Sequence, residues 1–382
     1  MATVVPHLSI TTSFDHPDLR DGWEDLVASS QEPSVFLTWE WMDVWCRVQR
    51  RNRTPYIVTA RLDGRLAGLA PLVTVPRRLG PWRLQTLEFM GGGVGADHLT
   101  FLAVRERGDL LSAAVRFLAD QRTQWDLLDL ARIDEGLARR FIAEFSDDDR
   151  FRLVVAPSDI SPVLSLPESW HALAAALKSD LPAKIDYYHR RLAREIANVR
   201  FHRVEDDATF DLAWGDLVRL HTRRWRERGL RGAFADETFE RFHRQFARRA
   251  LQRGWLRLYR LEVDGHGVAV LYCLQMRERV SYVQGGFDPA MGRYSVGTLL
   301  VAHAIREAIE EHAREFDFLR GAEPYKMRWA TSVRQDYHLR LIPKRHRSIM
   351  ALAWLQQSAR VRGRLKAVMN VAGSRLRSAP KH

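Results

Sequence analysis

Residues 323 to 326 read Glu-Pro-Tyr-Lys, which places a carboxylate, a phenol and an ammonium side by side. A carboxylate can take a proton from a nucleophile and a phenol can give one to a leaving group. Glu323 is therefore a candidate base or acceptor-orienting group and Tyr325 a candidate acid, with Lys326 beside them and Pro324 restraining the loop. The same residue types also suit a surface loop in which Glu323 and Lys326 merely pair. A second stretch, from Asp288 to Thr298, carries Gly292 and Gly297 just ahead of an apolar-periodic run. Free amides at such a helix start favour an anion, phosphate above all, and Thr298 can help satisfy the first turn. A third group, His221, Arg224 and Trp225, falls in one helical run, with His221 and Trp225 one turn apart and able to share a face. A histidine at this spacing is more often a structural hydrogen-bonding group than a reactive one.

The elements that must position these groups are legible from periodicity. Helical runs are expected over Asp18 to Ser29 and Phe36 to Arg50, then strands over Tyr56 to Leu62 and Leu66 to Val75 joined by a tight Asp63-Gly64 turn. Leu84 to Phe89 continues the sheet, followed by a helix over Asp109 to Gln121 and a strand over Trp125 to Leu130. The second half repeats the order: helices over Phe210 to Trp225 and Glu237 to Gln252, strands over Trp255 to Val263 and Val268 to Met276 around Asp264-Gly265, and a strand from Val280 to Phe287. A loop, a helix reaching about Ala313 and a strand starting at Phe316 complete it. This internal repeat reads as a duplicated α/β unit. The proline-punctuated link from Ala156 to Pro182, with a helix around Trp170 to Lys178, sets the boundary near residue 180 and is a place where a strand or helix can swap onto the neighbouring unit. Gly91-Gly92-Gly93 reads as punctuation between strand and helix, because the loop holds no Arg or Lys and Asp97 would repel an anion.

Length and composition narrow the function classes. A chain of 382 residues, 46% hydrophobic and 28% charged, is long enough for two globular cores. Cys46 and Cys273, the only cysteines, are too few for a disulfide framework or a zinc site, and the histidines form no ligand spacing, so no metal is expected. No apolar run approaches the roughly 20 residues of a spanning helix, and a cytoplasmic location is expected. Ten of the net twelve positive charges lie in 344–382, which leaves +2 for the body and makes a nucleic-acid partner a weak expectation. Trp354, Val361, Leu365, Val368, Ala372 and Leu376 make an apolar stripe in that tail, flanked by Arg360, Arg362, Arg364 and Lys366. Such a segment suits an anionic membrane surface; a solvated tail is the alternative. No Gly-x-Ser-x-Gly elbow of a serine hydrolase is present.

The stretches Phe36-Leu-Thr-Trp-Glu-Trp, Ser161-Pro-Val-Leu-Ser-Leu-Pro-Glu-Ser-Trp, His221-Thr-Arg-Arg-Trp-Arg-Glu-Arg-Gly, Tyr294-Ser-Val-Gly-Thr-Leu-Leu and Phe318-Leu-Arg-Gly-Ala-Glu-Pro-Tyr-Lys-Met-Arg-Trp resemble tandem GNAT-like proteins. They resemble most the acetyltransferase-like family called CelD or BcsL, associated with cellulose and exopolysaccharide genes and related to Fem-type peptidyltransferases. The resemblance implies an α/β (α+β) fold of two tandem GNAT-like domains, each a mixed, mostly antiparallel sheet flanked by helices. The N-terminal domain (1–180) would be degenerate, the C-terminal domain (181–343) catalytic, and a basic amphipathic tail would follow (344–382).

The resemblance further implies acetyl-CoA as co-substrate, its pantetheine along the strand holding Gln284, Gly285 and Gly286 and its pyrophosphate at Arg293, Gly297 and Thr298. In this loop the glycine after Arg293 falls one place later than in the usual GNAT pattern. Glu323, Tyr325 and Lys326 would serve acyl transfer, and His221, Arg224 and Trp225 would bind the acceptor, an amine or hydroxyl of a sugar or glycan precursor. A Fem-like aminoacyl-tRNA-dependent transferase and a non-catalytic polysaccharide assembly factor are the alternatives.

Overall fold

The structure is a computed structural model that describes residues 5–14, 17–30, 33–49, 52–177, 180–345, 348–350 and 353. The amphipathic tail expected beyond Pro343 therefore lies almost wholly outside the described residues.

In the first half, β1 (His7–Thr11), α1 (Pro17–Ser29) and α2 (Trp39–Val48) precede the hairpin of β2 (Thr54–Leu62) and β3 (Arg65–Leu79). Then come β4 (Trp82–Phe89), β5 (Leu102–Ala103), α3 (Asp109–Asp120), β6 (Leu127–Ile133) and α4 (Glu135–Phe145). The link holds β7 (Phe151–Ser165), α5 (Trp170–Ala176) and α6 (Leu181–Glu195). In the second half, β8 (Val199–Arg203), α7 (Asp207–Glu227) and α8 (Glu237–Gln252) lead into β9 (Leu256–Val263), β10 (His266–Met276) and β11 (Arg279–Phe287). The half closes with α9 (Val296–Glu310), β12 (Glu315–Asp317), α10 (Pro324–Met327) and β13 (Ser332–Pro343).

Local chemistry accounts for several boundaries. Both hairpins turn on an Asp-Gly pair with positive φ at each residue, 48° and 78° at Asp63-Gly64 and 49° and 79° at Asp264-Gly265, the geometry whose twist matches flanking strands. Asp206 caps α7 by accepting from the Thr209 amide, and Asp236 caps α8 by accepting from Thr238 and Phe239. The run expected as one helix from Phe36 is broken at Thr38, which is extended and caps α2 through the Trp41 amide. Trp39, Trp41 and Trp45 are buried in the core.

The strands form one mixed, mostly antiparallel sheet in the order β1-β2-β3-β4-β6-β13-β7-β12-β11-β10-β9-β8, with β5 beside β3. The pairs β4–β6 and β11–β12 run parallel. Two strands are exchanged between the halves. The end of β7 (Val163 to Ser165) pairs with β12 in the second half, and β13 returns to lie between β6 and β7. The proline-punctuated link is thus a strand in its first part, and β7 tolerates Pro162, which lacks an amide but whose carbonyl accepts from Phe318.

At the crossing lies a buried ionic cluster. His98, left-handed at φ 55°, places Nδ1 2.6 Å from Asp336 and Nε2 3.1 Å from Asp317. Arg334 donates to Asp317 at 2.8 Å and to both oxygens of Glu315. Asp336 sits at the register break of β13, a bulge that turns an extra residue into the interior. Against the cost of burial, bonds to Asp317 and Asp336 push the His98 pKa up to about 10, so the ring is an imidazolium that donates to both carboxylates. Burial instead lowers His221 to about 4 and His243 to about 3.

A raised folded pKa stabilises below the ordinary value near 6.5 and loses that stabilisation as pH climbs towards 10, whereas the lowered pair loses it as pH falls from 6.5 towards 4 and 3. The melting temperature should therefore fall on both sides of neutrality. His98→Gln, which leaves buried carboxylates uncompensated, should cost about 3–5 kcal/mol at pH 7 and flatten the decline between pH 7 and 9.5. An unchanged alkaline limb in the variant, measured by calorimetric melts, would show that the cluster does not carry the effect.

Candidate functional site

Strand β11 pairs with β12 over only three residues, Arg279 to Ser281 against Glu315 to Asp317. Beyond them the strands part. The expected strand from Phe316 to Arg320 stops at Asp317, because Leu319 turns left-handed (φ 52°), its amide bonds Asp317 Oδ1, and the Phe318 and Gly321 amides bond Pro162 and Ile160 of β7. The edge of β11 that faced β12 is thus left without a strand partner from Tyr282 to Phe287. A bulge at Val283, where the register with β10 shifts between Tyr272 and Cys273, bends the strand at the same place.

The opening is a cavity of about 700 Å³. Its walls are β11 from Tyr282 to Phe287, the start of α9 with Gly292 and Ser295 to Thr298, the α10 loop with Glu323, Tyr325 and Lys326, and Arg224, Trp225 and Arg228 of α7. Gly95 and Asp97 of the first half, Phe239 of α8, and Arg320 and Arg328 flanking α10 also line it. All but two of the site residues expected from sequence line this space.

The first exception is His221. It is buried behind β11, bonds Gln284, and leaves Nδ1 without a partner among the described residues. The second is Arg293, whose guanidinium turns onto the Tyr294 hydroxyl, itself bonded to Glu195.

At the start of α9, Ser295 takes the left-handed conformation (φ 50°) and bonds Thr298 Oγ1, while its carbonyl accepts from the Thr298 and Leu299 amides. The amides of Val296 and Gly297 precede the first intrahelical bond and have no partner among the described residues. Amides so placed at a helix start suit an anion. Gly297 also has a packing reason: a methyl there would stand 2.9 Å from the Phe287 ring.

The α10 loop is held from within. Lys326 is buried; its Nζ donates to the Arg320 carbonyl at 2.6 Å and lies 3.1 Å from Glu323 Oε2. The pairing that the sequence offered as the plain alternative is therefore present, and it fixes Glu323 at the rim with its side chain half exposed. Tyr325 hydrogen-bonds Tyr282. Burial raises both phenols, well above the ordinary range for Tyr282, while Arg224 pulls both down and Arg228 pulls Tyr325 down.

Residues 183–327 match the family model described as "Acetyltransferase (GNAT) domain". Among solved structures, the chain is similar to FemX at 10% identity and a TM-score of 0.59, covering 84% of this chain and 95% of that one. It is also similar to a conserved protein of unknown function from Bacteroides thetaiotaomicron (11%, TM-score 0.56, 88% and 100% covered). A third is the C-terminal domain of a putative lysylphosphatidylglycerol synthetase from Agrobacterium fabrum (12%, 0.53, 89% and 95%). At these identities the likeness is one of fold. No curated protein matches.

Sequence reasoning missed His98, Asp336, Tyr282 and Arg228. One signal was available: the repeat aligns Trp125-Asp126-Leu127 with Phe316-Asp317-Phe318, and a carboxylate in an apolar strand needs a partner. Asp126 finds the Gln85 amide and Asp317 finds His98.

The glycines of β11 provide a test of the architecture. A methyl on Gly286 would lie 2.6 Å from the His221 amide nitrogen, whereas one on Gly292 meets nothing within 4 Å. Gly286→Ala should cost about 1–3 kcal/mol by forcing α7 off the strand, and Gly292→Ala should be near neutral. Denaturant melts compare the two; equal costs would contradict the packing described.

Proposed function

We propose that the protein is an acyltransferase that uses acetyl-CoA and acts on an amine or hydroxyl of a sugar or exopolysaccharide precursor, with residues 181–343 as the catalytic unit. The observation that carries the reading is the unpaired edge of β11 running to the free amides of Val296 and Gly297. An extended amide-bearing arm fits a strand edge as another strand would, and a pyrophosphate fits a helix start. The acceptor class rests on the sequence resemblance to exopolysaccharide-associated proteins.

Bound acyl-CoA would supply an activated acyl carbon with a thiol as its leaving group. The new N–C or O–C bond replaces the C–S bond, so one proton must leave the nucleophile and one must reach sulfur. Glu323, at the rim and open to solvent, accepts the first and releases it to water. Tyr325 holds the second, because burial keeps its phenol protonated at neutral pH, and Tyr282 orients that hydroxyl. His221 stays neutral and holds Gln284 in the strand. Lys326 fixes the loop through Arg320 and Glu323.

Calorimetry with acetyl-CoA tests the donor: saturable binding is expected, and none at millimolar ligand would sink the reading. A charged tRNA that bound instead, with a steep salt dependence, would favour aminoacyl transfer. Tyr325→Phe should lower kcat about 10²-fold or more with little change in acetyl-CoA affinity. A phenylalanine variant with full turnover would remove Tyr325 from proton transfer.

A further inference from the structure

Five cationic side chains line the cavity, Arg224, Arg228, Arg320, Lys326 and Arg328, against two acidic ones, Asp97 and Glu323. Three of the cations have carboxylates: Lys326 faces Glu323 at 3.1 Å, Arg320 faces Asp97 at 3.1 Å and Arg328 approaches Asp180 at 3.8 Å. Arg224 and Arg228 have none within 4.0 Å among the described residues. The Arg224 Nε is buried and makes no hydrogen bond among the described residues. Its guanidinium lies 4.6 Å over the Phe287 ring, and that of Arg228 lies 5.9 Å from Trp225. A face-stacked guanidinium keeps its in-plane donors free, and two such forks one helical turn apart match an oxyanion.

Arg224 lies over Phe287, the ring that Gly297 at the α9 start also meets, and the pair reaches towards the α10 loop as well. The charge of Arg224 is felt at the Tyr282 and Tyr325 hydroxyls and that of Arg228 at Tyr325, which sets the pair beside the transfer point. Leaving the half-buried Arg224 without a counter-charge is costly, and no carboxylate among the described residues lies within 4.0 Å of it; Arg228 beside it is exposed.

We propose that Arg224 and Arg228 bind an oxyanion carried by the acceptor, so that the substrate class is an amine or hydroxyl compound bearing a phosphate or a carboxylate. The inference rests on the reading that acyl-CoA occupies the strand edge and the α9 amides. The pair then holds the far end of the acceptor while its nucleophile reaches the Glu323 and Tyr325 loop.

The test separates the two readings. Acetyl-CoA is titrated into the protein first; absence of binding removes the donor reading by itself. Protein saturated with CoA is then titrated with pyrophosphate and, separately, with malonate. Binding of at least one anion is expected, weakened tenfold or more by Arg224→Gln and by Arg228→Gln, with CoA affinity changed less than threefold. The anion preferred distinguishes a phosphorylated from a carboxylated acceptor. The proposal is overturned if neither anion binds the CoA-saturated protein, if binding is the same in folded variants, or if the substitutions abolish CoA affinity instead, which would assign both arginines to the donor. Should CoA itself fail to bind, the same anion titrations on the free protein decide: arginine-dependent binding keeps the site, and its absence removes it.

Discussion

A single buried imidazolium between two carboxylates holds the two halves of this molecule in register. His98 comes from a loop of the first half, Asp317 from the last residue of β12, and Asp336 from β13, the strand returned to the first half. With Arg334 added, two cations meet the two buried carboxylates, which lets such a cluster persist at the crossing of exchanged strands. Its consequence reaches the site. Asp317 also accepts the Leu319 amide, and this turn carries the chain away from β11 towards β7. The groove exists because β12 is pulled aside at the residue that the histidine anchors.

The first half has a comparable strand end but uses it for packing. After β4, the carbonyls of Gly91 and Gly92 accept indole N–H groups from Trp41 at 3.0 Å and Trp45 at 2.8 Å, and a methyl on Gly91 would stand 2.8 Å from the Trp41 ring. Carbonyls rather than amides are used there, and tryptophans fill the space. Trp41 in turn meets Phe242 and Phe246 of α8 edge-on, so this loop is welded to the second half. That contact brings Gly95 and Asp97 to the wall of the cavity. The first unit thus serves the second as a wall and an anchor.

Much of the fold was legible because it rests on local rules. Alternation gave β9, β10 and β11, the Asp-Gly pairs gave both hairpins, and the period of the run after Gly297 gave α9. The loop residues Glu323, Tyr325 and Lys326 were visible as chemistry for the same reason. The exchange of β7 and β13 left only a hint in the proline-marked link, since which sheet a strand joins is decided by partners far away in sequence. The His98 cluster was hidden for that reason too: its partners stand 219 and 238 positions away. Arg228 was hidden differently. In a chain this rich in arginine, an unpaired one is distinguished only when the carboxylates of its neighbours are known to be engaged elsewhere.

That distinction bears on how Tyr325, the proposed acid, is controlled. Tyr325 is subject to opposed influences: burial raises its pKa, and the Tyr282 bond, Arg224 and Arg228 lower it while Glu323 raises it. The arginines are the contributors that a ligand can cancel. An oxyanion seated on them neutralises their field at the phenol, so the Tyr325 proton is held more firmly when the acceptor is in place than when the groove is empty. An acid that keeps its proton until sulfur develops charge is the form acyl transfer needs. Under the proposed function, two cations beside a buried phenol make the acidity of Tyr325 depend on occupancy of the acceptor end, with no movement of the backbone required.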